Sequence, residues 1–228
     1  MTVQRIRFGD QERLAAADLL RRFEQEIRPS VPAPEADELP RYLRAMVGID
    51  REHGAEGRLP LEGADELVAA ALTGLARIAQ HAPASLQLAV ADVTSGTALW
   101  AMRHELEVVP VEPVVNALAN RANAARSPRD AAAVLALMEA VIANVAPRLA
   151  ADLERSNPER PWRLLHANLA ITAIRTGEPA LMDRAFDALD RALPAEAPGF
   201  YAEALALALN PAVPAAVREK IAQRHARG

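Results

Sequence analysis

Apolar residues recur along this chain at the three- and four-residue spacing of amphipathic helices, and almost nowhere with the alternation of strands. Asp10 can cap a first helix whose face carries Ala16, Leu19, Leu20, Phe23 and Ile27 and which stops at Pro29. A proline-rich connector from Val31 to Pro40 leads to Tyr42, Leu43, Met46 and Ile49, which predict a short helix over Arg41 to Asp50. His53 to Gly63, with its glycines and proline, reads as a loop. Helices are then predicted over Ala64 to His81 and Pro83 to Ala91. Thr94-Ser95-Gly96-Thr97 reads as an interruption before a further helix over Ala98 to Leu106.

The most apolar stretch opens at Pro128. Val134, Met138, Val141, Val145 and Leu149 trace one face while Leu135, Leu137 and Ile142 occupy others, which predicts a helix buried nearly all round. Pro147 inside it predicts a kink or a split. Three helices follow, over Glu159 to Arg175, Pro179 to Leu193 and Gly199 to Leu209, and then a basic terminal helix over Pro211 to His225.

Proline supplies the punctuation, since it fits the first turn of a helix and breaks the interior. Ser127-Pro128-Arg129-Asp130 has the form of a capping box, and Asn157-Pro158 and Asn210-Pro211 repeat the idea. Thr2 to Phe8 alternates and Glu107 to Val111 is rich in β-branched residues, yet neither has a hairpin partner nearby. The fold expected is all-α: about eight to ten antiparallel helices forming an orthogonal bundle or a short α-solenoid. Residues 1–28 read as an N-terminal helix, 29–62 as a Pro/Gly-rich connector with a short helix, and 63–228 as the main helical domain. Leu169 to Leu193 places Ala173, Ala185 and Ala192 as a tetratricopeptide hairpin places its small residues. The turn after Gly177 is too long and the large residues of a first repeat helix are missing, so the stretch implies hairpin architecture and no family.

Composition sharpens this picture. The 228 residues are 51% hydrophobic but only 4% aromatic, alanine making up the difference, and alanine favours helix. Cysteine is absent, which excludes disulfides, thiolate metal sites and cysteine catalysis. A net charge of −4 argues against a nucleic-acid binder. Lys220 is the only lysine; arginine, alanine and proline enriched together suit a GC-rich coding sequence. The first residues lack the apolar core of a signal peptide, and no charge-free apolar run reaches the roughly 20 residues of a membrane span. A soluble, cytoplasmic protein is expected.

Candidate chemistry is sparse. His104-Glu105 begins like a zinc-protease helix, but Val108 stands where the second histidine is needed. His53, His81, His104, His166 and His225 are scattered, and Asp50 with His53 reads as a solvated helix end. Among the serines, Ser127 is accounted for as a cap, and Ser85, Ser95 and Ser156 lie in no nucleophile elbow. Thr94 to Thr97 would cradle an anion at a helix start, but without the lysine of a phosphate loop it reads as a plain loop. No catalytic residue, metal ligand or cofactor site is assigned.

One polar pattern asks for an account. Asn116, Asn120 and Asn123 share a helix face with Arg121 adjacent, although asparagine is a poor helix-interior residue. They form either a solvated face or a row that pairs with a peptide backbone. Trp162 beside Arg163 is either a packing anchor or an interface hot spot. Arg218, Lys220, Arg224, His225 and Arg227 sit where they offset a helix dipole. The function expected is a non-catalytic helical interaction module, an adaptor or assembly partner gripping another protein or peptide through Asn116, Asn120, Asn123, Arg121, Trp162 and Arg163. No nucleic acid and no membrane is expected as a partner, and a homodimer is allowed. The alternative is an enzyme or small-ligand binder with a pocket between helices that uses dispersed residues such as His166, Asp50 and His53.

Overall fold

The computed structural model describes residues 15–31, 35–59, 62–149 and 160–227. The expectations placed on Thr2 to Phe8, Asp10, Pro32 to Pro34, Ser156 and Asn157-Pro158 lie outside the described residues, as does the Leu149 side chain. Among the described residues the chain is all-α, with ten α-helices and no strand. They are α1 (Ala16–Arg22), α2 (Glu35–His53), α3 (Ala64–His81), α4 (Gln87–Arg103), α5 (Glu112–Ala124), α6 (Pro128–Leu149), α7 (Pro161–Thr176), α8 (Pro179–Ala192), α9 (Ala197–Ala208) and α10 (Ala215–His225). No helix among them is long and apolar enough to cross a membrane. The chain divides into two compact units, Met1–Ala124 with Ala140–Ala146, and Ala125–Glu139 with Pro147–Gly228.

In the first unit the N-terminal face is buried as the spacing predicts, except that Leu20 is only half-buried. Ala16, Leu19, Phe23 and Ile27 are fully inside, the last two on a π-helical turn, Phe23–Ile27, that widens the end of α1. The short helix expected over Arg41 to Asp50 runs instead from Glu35 to His53 and buries Leu39, Leu43 and Met46. Pro40 is inside it, in the second turn, where it costs the hydrogen bond to the Ala36 carbonyl and no more of the ladder.

The larger correction concerns Thr94 to Thr97. These residues are neither an interruption nor an anion cradle: they form the buried middle of one continuous helix, α4. Local propensity reads them as a break because threonine, serine and glycine are poor helix formers. Tertiary packing overrides it. Thr94 and Thr97 return their hydroxyls to the Val90 and Val93 carbonyls, each at 2.9 Å, so neither polar group is stranded. Gly96 admits Leu19, since a Cβ at residue 96 would stand 2.3 Å from Leu19 Cδ2. α4 packs against α1, α3 and α5, so this helix is the centre of the unit.

Glu107 to Val111, strand-like in sequence, finds a substitute for a neighbouring strand. Asn144 of α6 accepts from Val108 N at 2.9 Å and donates to the Leu106 carbonyl at 3.0 Å. Val134, Met138, Val141 and Val145 of α6 are buried, and the helix continues through Pro147 to end at Leu149, so the proline marks its last turn and does not split it.

The second unit begins with the expected cap. Ser127 Oγ accepts from Asp130 N at 3.1 Å, while Asp130 reaches back to Arg126 N at 3.3 Å, one residue before the usual box partner. α7 closes on Gly177, whose left-handed φ of 68° lets its N–H turn back to the Ile174 carbonyl. The terminal helix starts at Ala215, later than the expected Pro211. Asn210 caps a turn through Ala212 N, and Pro214 is then the residue before the helix and not a breaker within it. Its basic residues do more than offset a dipole. Asp183, Asp187 and Asp190 share one face of α8, and Arg224 of α10 is ion-paired with all three. Lys220 adds a bond to Asp183 at 2.9 Å, and Tyr201 of α9 donates its hydroxyl to Asp190 at 2.7 Å. Burial and then the Asp190 bond push the Tyr201 hydroxyl well above its ordinary value, so it stays a donor.

Two consequences are measurable. Gly96→Ala should cost about 1–3 kcal/mol in urea unfolding, because Leu19 is fully buried and has nowhere to turn. Adding Leu19→Ala should leave the double variant more stable than the sum of the two losses, and strict additivity would refute the contact. Arg224→Met should release α10 at a cost of about 1–2 kcal/mol, discounted for the half-exposed carboxylates. The Lys220 bond and the nearby charges hold Asp183 below its ordinary carboxyl range. Its contribution is therefore present above pH 3.8 and lost as pH falls further, so α10 amides should lose exchange protection first in acid.

Candidate functional site

Two features of the first unit gather polar groups: a closed centre and an open groove. The centre is built on Asp50, at the end of α2. Asp50 Oδ1 accepts from the Trp100 indole nitrogen at 2.7 Å, and Oδ2 accepts from Ala16 N at 3.2 Å. His104 lies beside them, its Nε2 3.2 Å from Asp50 Oδ1 and its Nδ1 3.0 Å from the Gly57 carbonyl. His104 is fully buried and its ring is 4.5 Å from that of Trp100. Asp50 is therefore paired with His104 and not with His53, which stands by Glu52. Every oxygen of Asp50 has a protein partner, an arrangement that locks helices together.

His166 belongs to the second unit and repeats part of this pattern. It donates Nδ1–H to the Trp162 carbonyl at 2.9 Å, and its ring packs tilted against that of Trp162, centroids 4.2 Å apart. Burial holds its pKa below the ordinary value, with Arg160 and Arg191 adding to the effect and the backbone bond opposing it, so the imidazole is neutral. Trp162 is thus interior, only 7% exposed, a packing anchor of α7. Arg163 points the other way. It is ion-paired with Glu196 and lines a separate, apolar groove of the second unit.

The open groove of the first unit runs between α3 and α5 over α4, with a volume of ≈ 410 Å³. α5 buries Val114, Val115, Ala117, Leu118 and Ala122, which leaves Asn116, Asn120 and Asn123 on its exposed side. Asn116 and Asn120 line the groove, and Thr73 and Gln80 of α3 line it too; Asn123 lies past its end. The floor includes Val90, Ala91 and Thr94 of α4, whose only polar side chain is already bonded to its own helix. Gln87 closes one end with its amide spent on the Ala79 and Ala82 carbonyls. Arg121 is turned to Asp92, 3.4 Å away, which Arg22 also pairs with at 2.8 Å, so that guanidinium ties α5 to α4 and α1.

Of the residues singled out from sequence, the fold brings two asparagines to one groove and sets Trp162 and Arg163 in the other unit. Thr73 and Gln80 carry no motif and were not singled out. The Asp50–His104 pairing, 54 residues apart, leaves no local trace. The tryptophan–histidine spacing of one helical turn, at Trp100/His104 and again at Trp162/His166, was the available signal for both buried pairs. Among the described residues no three histidine, aspartate or glutamate side chains form a cluster able to hold a metal. Comparison with protein-family models, curated proteins and solved structures finds no match.

Asp50→Ala should cost about 3–5 kcal/mol in chemical denaturation, because the Trp100 and Ala16 donors and His104 all lose their partner inside the unit. Asp50→Asn keeps an acceptor for Trp100 and should cost roughly half as much. Equal losses for the two would mean that packing, and not hydrogen bonding, sets the value of the residue.

Proposed function

We propose that the protein is a non-catalytic, cytoplasmic interaction module that grips an extended segment of another polypeptide along the groove between α3 and α5. The observation that carries this reading is the placement of Asn116 and Asn120 one helical turn apart on the wall of that groove. Four residues of helix advance about 6 Å, while two residues of an extended chain advance about 6.7 Å. Successive asparagines on the wall therefore meet alternate residues of a peptide laid along it. Each amide both donates and accepts, so each can satisfy one N–H and one C=O of a backbone whose side chains it does not select. Thr73 and Gln80 offer the same two-way chemistry from the opposite wall. The sequence cost of asparagine in a helix interior is then offset by its use on the groove.

Peptides selected by display against the whole protein provide the probe. Asn116→Ala and Asn120→Ala should each weaken binding about fivefold, and together about thirtyfold, at roughly 1 kcal/mol per lost pairing. Both changes raise helix propensity, so the melting temperature should hold or rise. Selected peptides that bind the double variant as tightly as the parent would end the assignment.

A further inference from the structure

The start of α7 in the second unit gathers positive charge and unpartnered polar groups, and it supports an inference independent of the peptide reading. α7 has Arg160 at its N-cap, no side-chain cap bond and no acid in its first turn. The Trp162 N–H, at the second helical position, has no acceptor among the described residues. Arg160 is only 7% exposed, yet its guanidinium forms no hydrogen bond or ion pair with a described residue, and its Nε is sealed from water. His166 is 2% exposed and leans back over the same turn, with its Nδ1–H given to the Trp162 carbonyl. The Nε2 of this neutral ring is left as a bare acceptor. The charges of Arg160 and of exposed Arg191 on α8 both reach the ring. The acids at that end of α8 and in the turn after it are engaged elsewhere, Asp187 and Asp190 with Arg224 and Glu196 with Arg163. A buried guanidinium without an acceptor is costly, and the described residues offer Arg160 none.

We propose that this cluster, Arg160, Arg191, His166 and the Trp162 N–H, binds a free phosphate ion in its monohydrogen form. Two guanidiniums and a helix N-terminus suit a divalent oxyanion better than a single carboxylate. A planar guanidinium holds two phosphate oxygens at once, and a backbone N–H takes another. His166 then selects among oxyanions. Its Nε2 accepts and cannot donate, so it repels an ionised oxygen and pairs with an O–H. Monohydrogen phosphate carries one O–H beside its acceptor oxygens. Sulfate and ionised carboxylates carry none, and a dianionic phosphate monoester has that oxygen esterified. The slight exposure of Arg160 and His166 also suits an ion of a few atoms over a larger ligand.

Calorimetric titration of the full chain with inorganic phosphate tests this, at constant ionic strength and about pH 8, where a phosphate monoester has lost its last proton. The expected dissociation constant is on the order of 0.1–1 mM, and the Trp162 amide resonance should move as the ion binds. Sulfate and phenyl phosphate should each bind at least about tenfold more weakly, because they leave the His166 acceptor unpaired. His166→Phe keeps a ring against Trp162 and removes that acceptor, so phosphate and sulfate should then bind alike. Arg160→Gln should weaken phosphate about tenfold or more, and Arg191→Gln about threefold. Arg191 is exposed, so its variant keeps the fold and carries the charge test if Arg160→Gln does not fold. A Trp162 amide that stays in place up to about 20 mM phosphate would overturn the proposal. So would sulfate or phenyl phosphate binding as tightly as phosphate, or an affinity indifferent to both arginine substitutions. Asn116→Ala lies in the other unit and should leave phosphate binding unchanged, which separates this outcome from the fate of the peptide reading.

Discussion

Asp50 receives bonds from distant parts of the first unit, and the arrangement of that unit depends on them. Its two oxygens hold the start of α1 through Ala16 N and the end of α4 through Trp100, with His104 carrying the connection on to the loop at Gly57. The same loop is sewn to α4 a second time by Gly57 N, which donates to the Arg103 carbonyl at 2.9 Å. A carboxylate largely shielded from water, as Asp50 is at 15% side-chain exposure, is costly unless its lone pairs are filled, and here donors arrive from separate elements. The free energy of keeping Asp50 satisfied is therefore shared by α1, α2, α4 and the loop. None of these elements can move off without stranding a polar group.

With its C-terminal end held there, α4 can be buried from Ala89 to Ala101, Asp92 apart. Gly96 gives up a side chain so that Leu19 of α1 can close from one side, and α3 and α5 close from the others. The groove between α3 and α5 has Val90, Ala91 and Thr94 of α4 as its floor, so the buried helix beneath supports it. Placing amides on such a support has a physical logic. The asparagines stand on the exposed side of a helix whose opposite side is packed tight, so little backbone freedom remains to be lost when a ligand binds.

Much of this architecture was legible in the sequence, and the misses share one cause. The helix over Ala64 to His81, the capping serine before Pro128 and the buried face of α6 follow from spacing and cap chemistry, which act over a few residues. Thr94 to Thr97 looked like a break because the compensation for its poor propensity lies in Leu19, far away in the chain. Asp50 looked like a solvated helix end for the same reason, its partners being in α1 and α4. The asparagine row was visible as a periodicity, but the wall opposite it comes from α3, so the groove was not. The apolar character of α9, whose only charged residue is Glu203, was in plain sight.

The two tryptophans have a practical consequence. The chain has only these two, one in each compact unit, and each ring rests on a histidine one turn along its own helix. The molecule therefore carries a separate optical label for each half. Replacing Trp162 by phenylalanine leaves an emission spectrum that belongs to Trp100 and its surroundings alone, and the reverse substitution isolates the other. Whether the halves melt together or one after the other can then be read from light, without attaching a dye or cutting the chain.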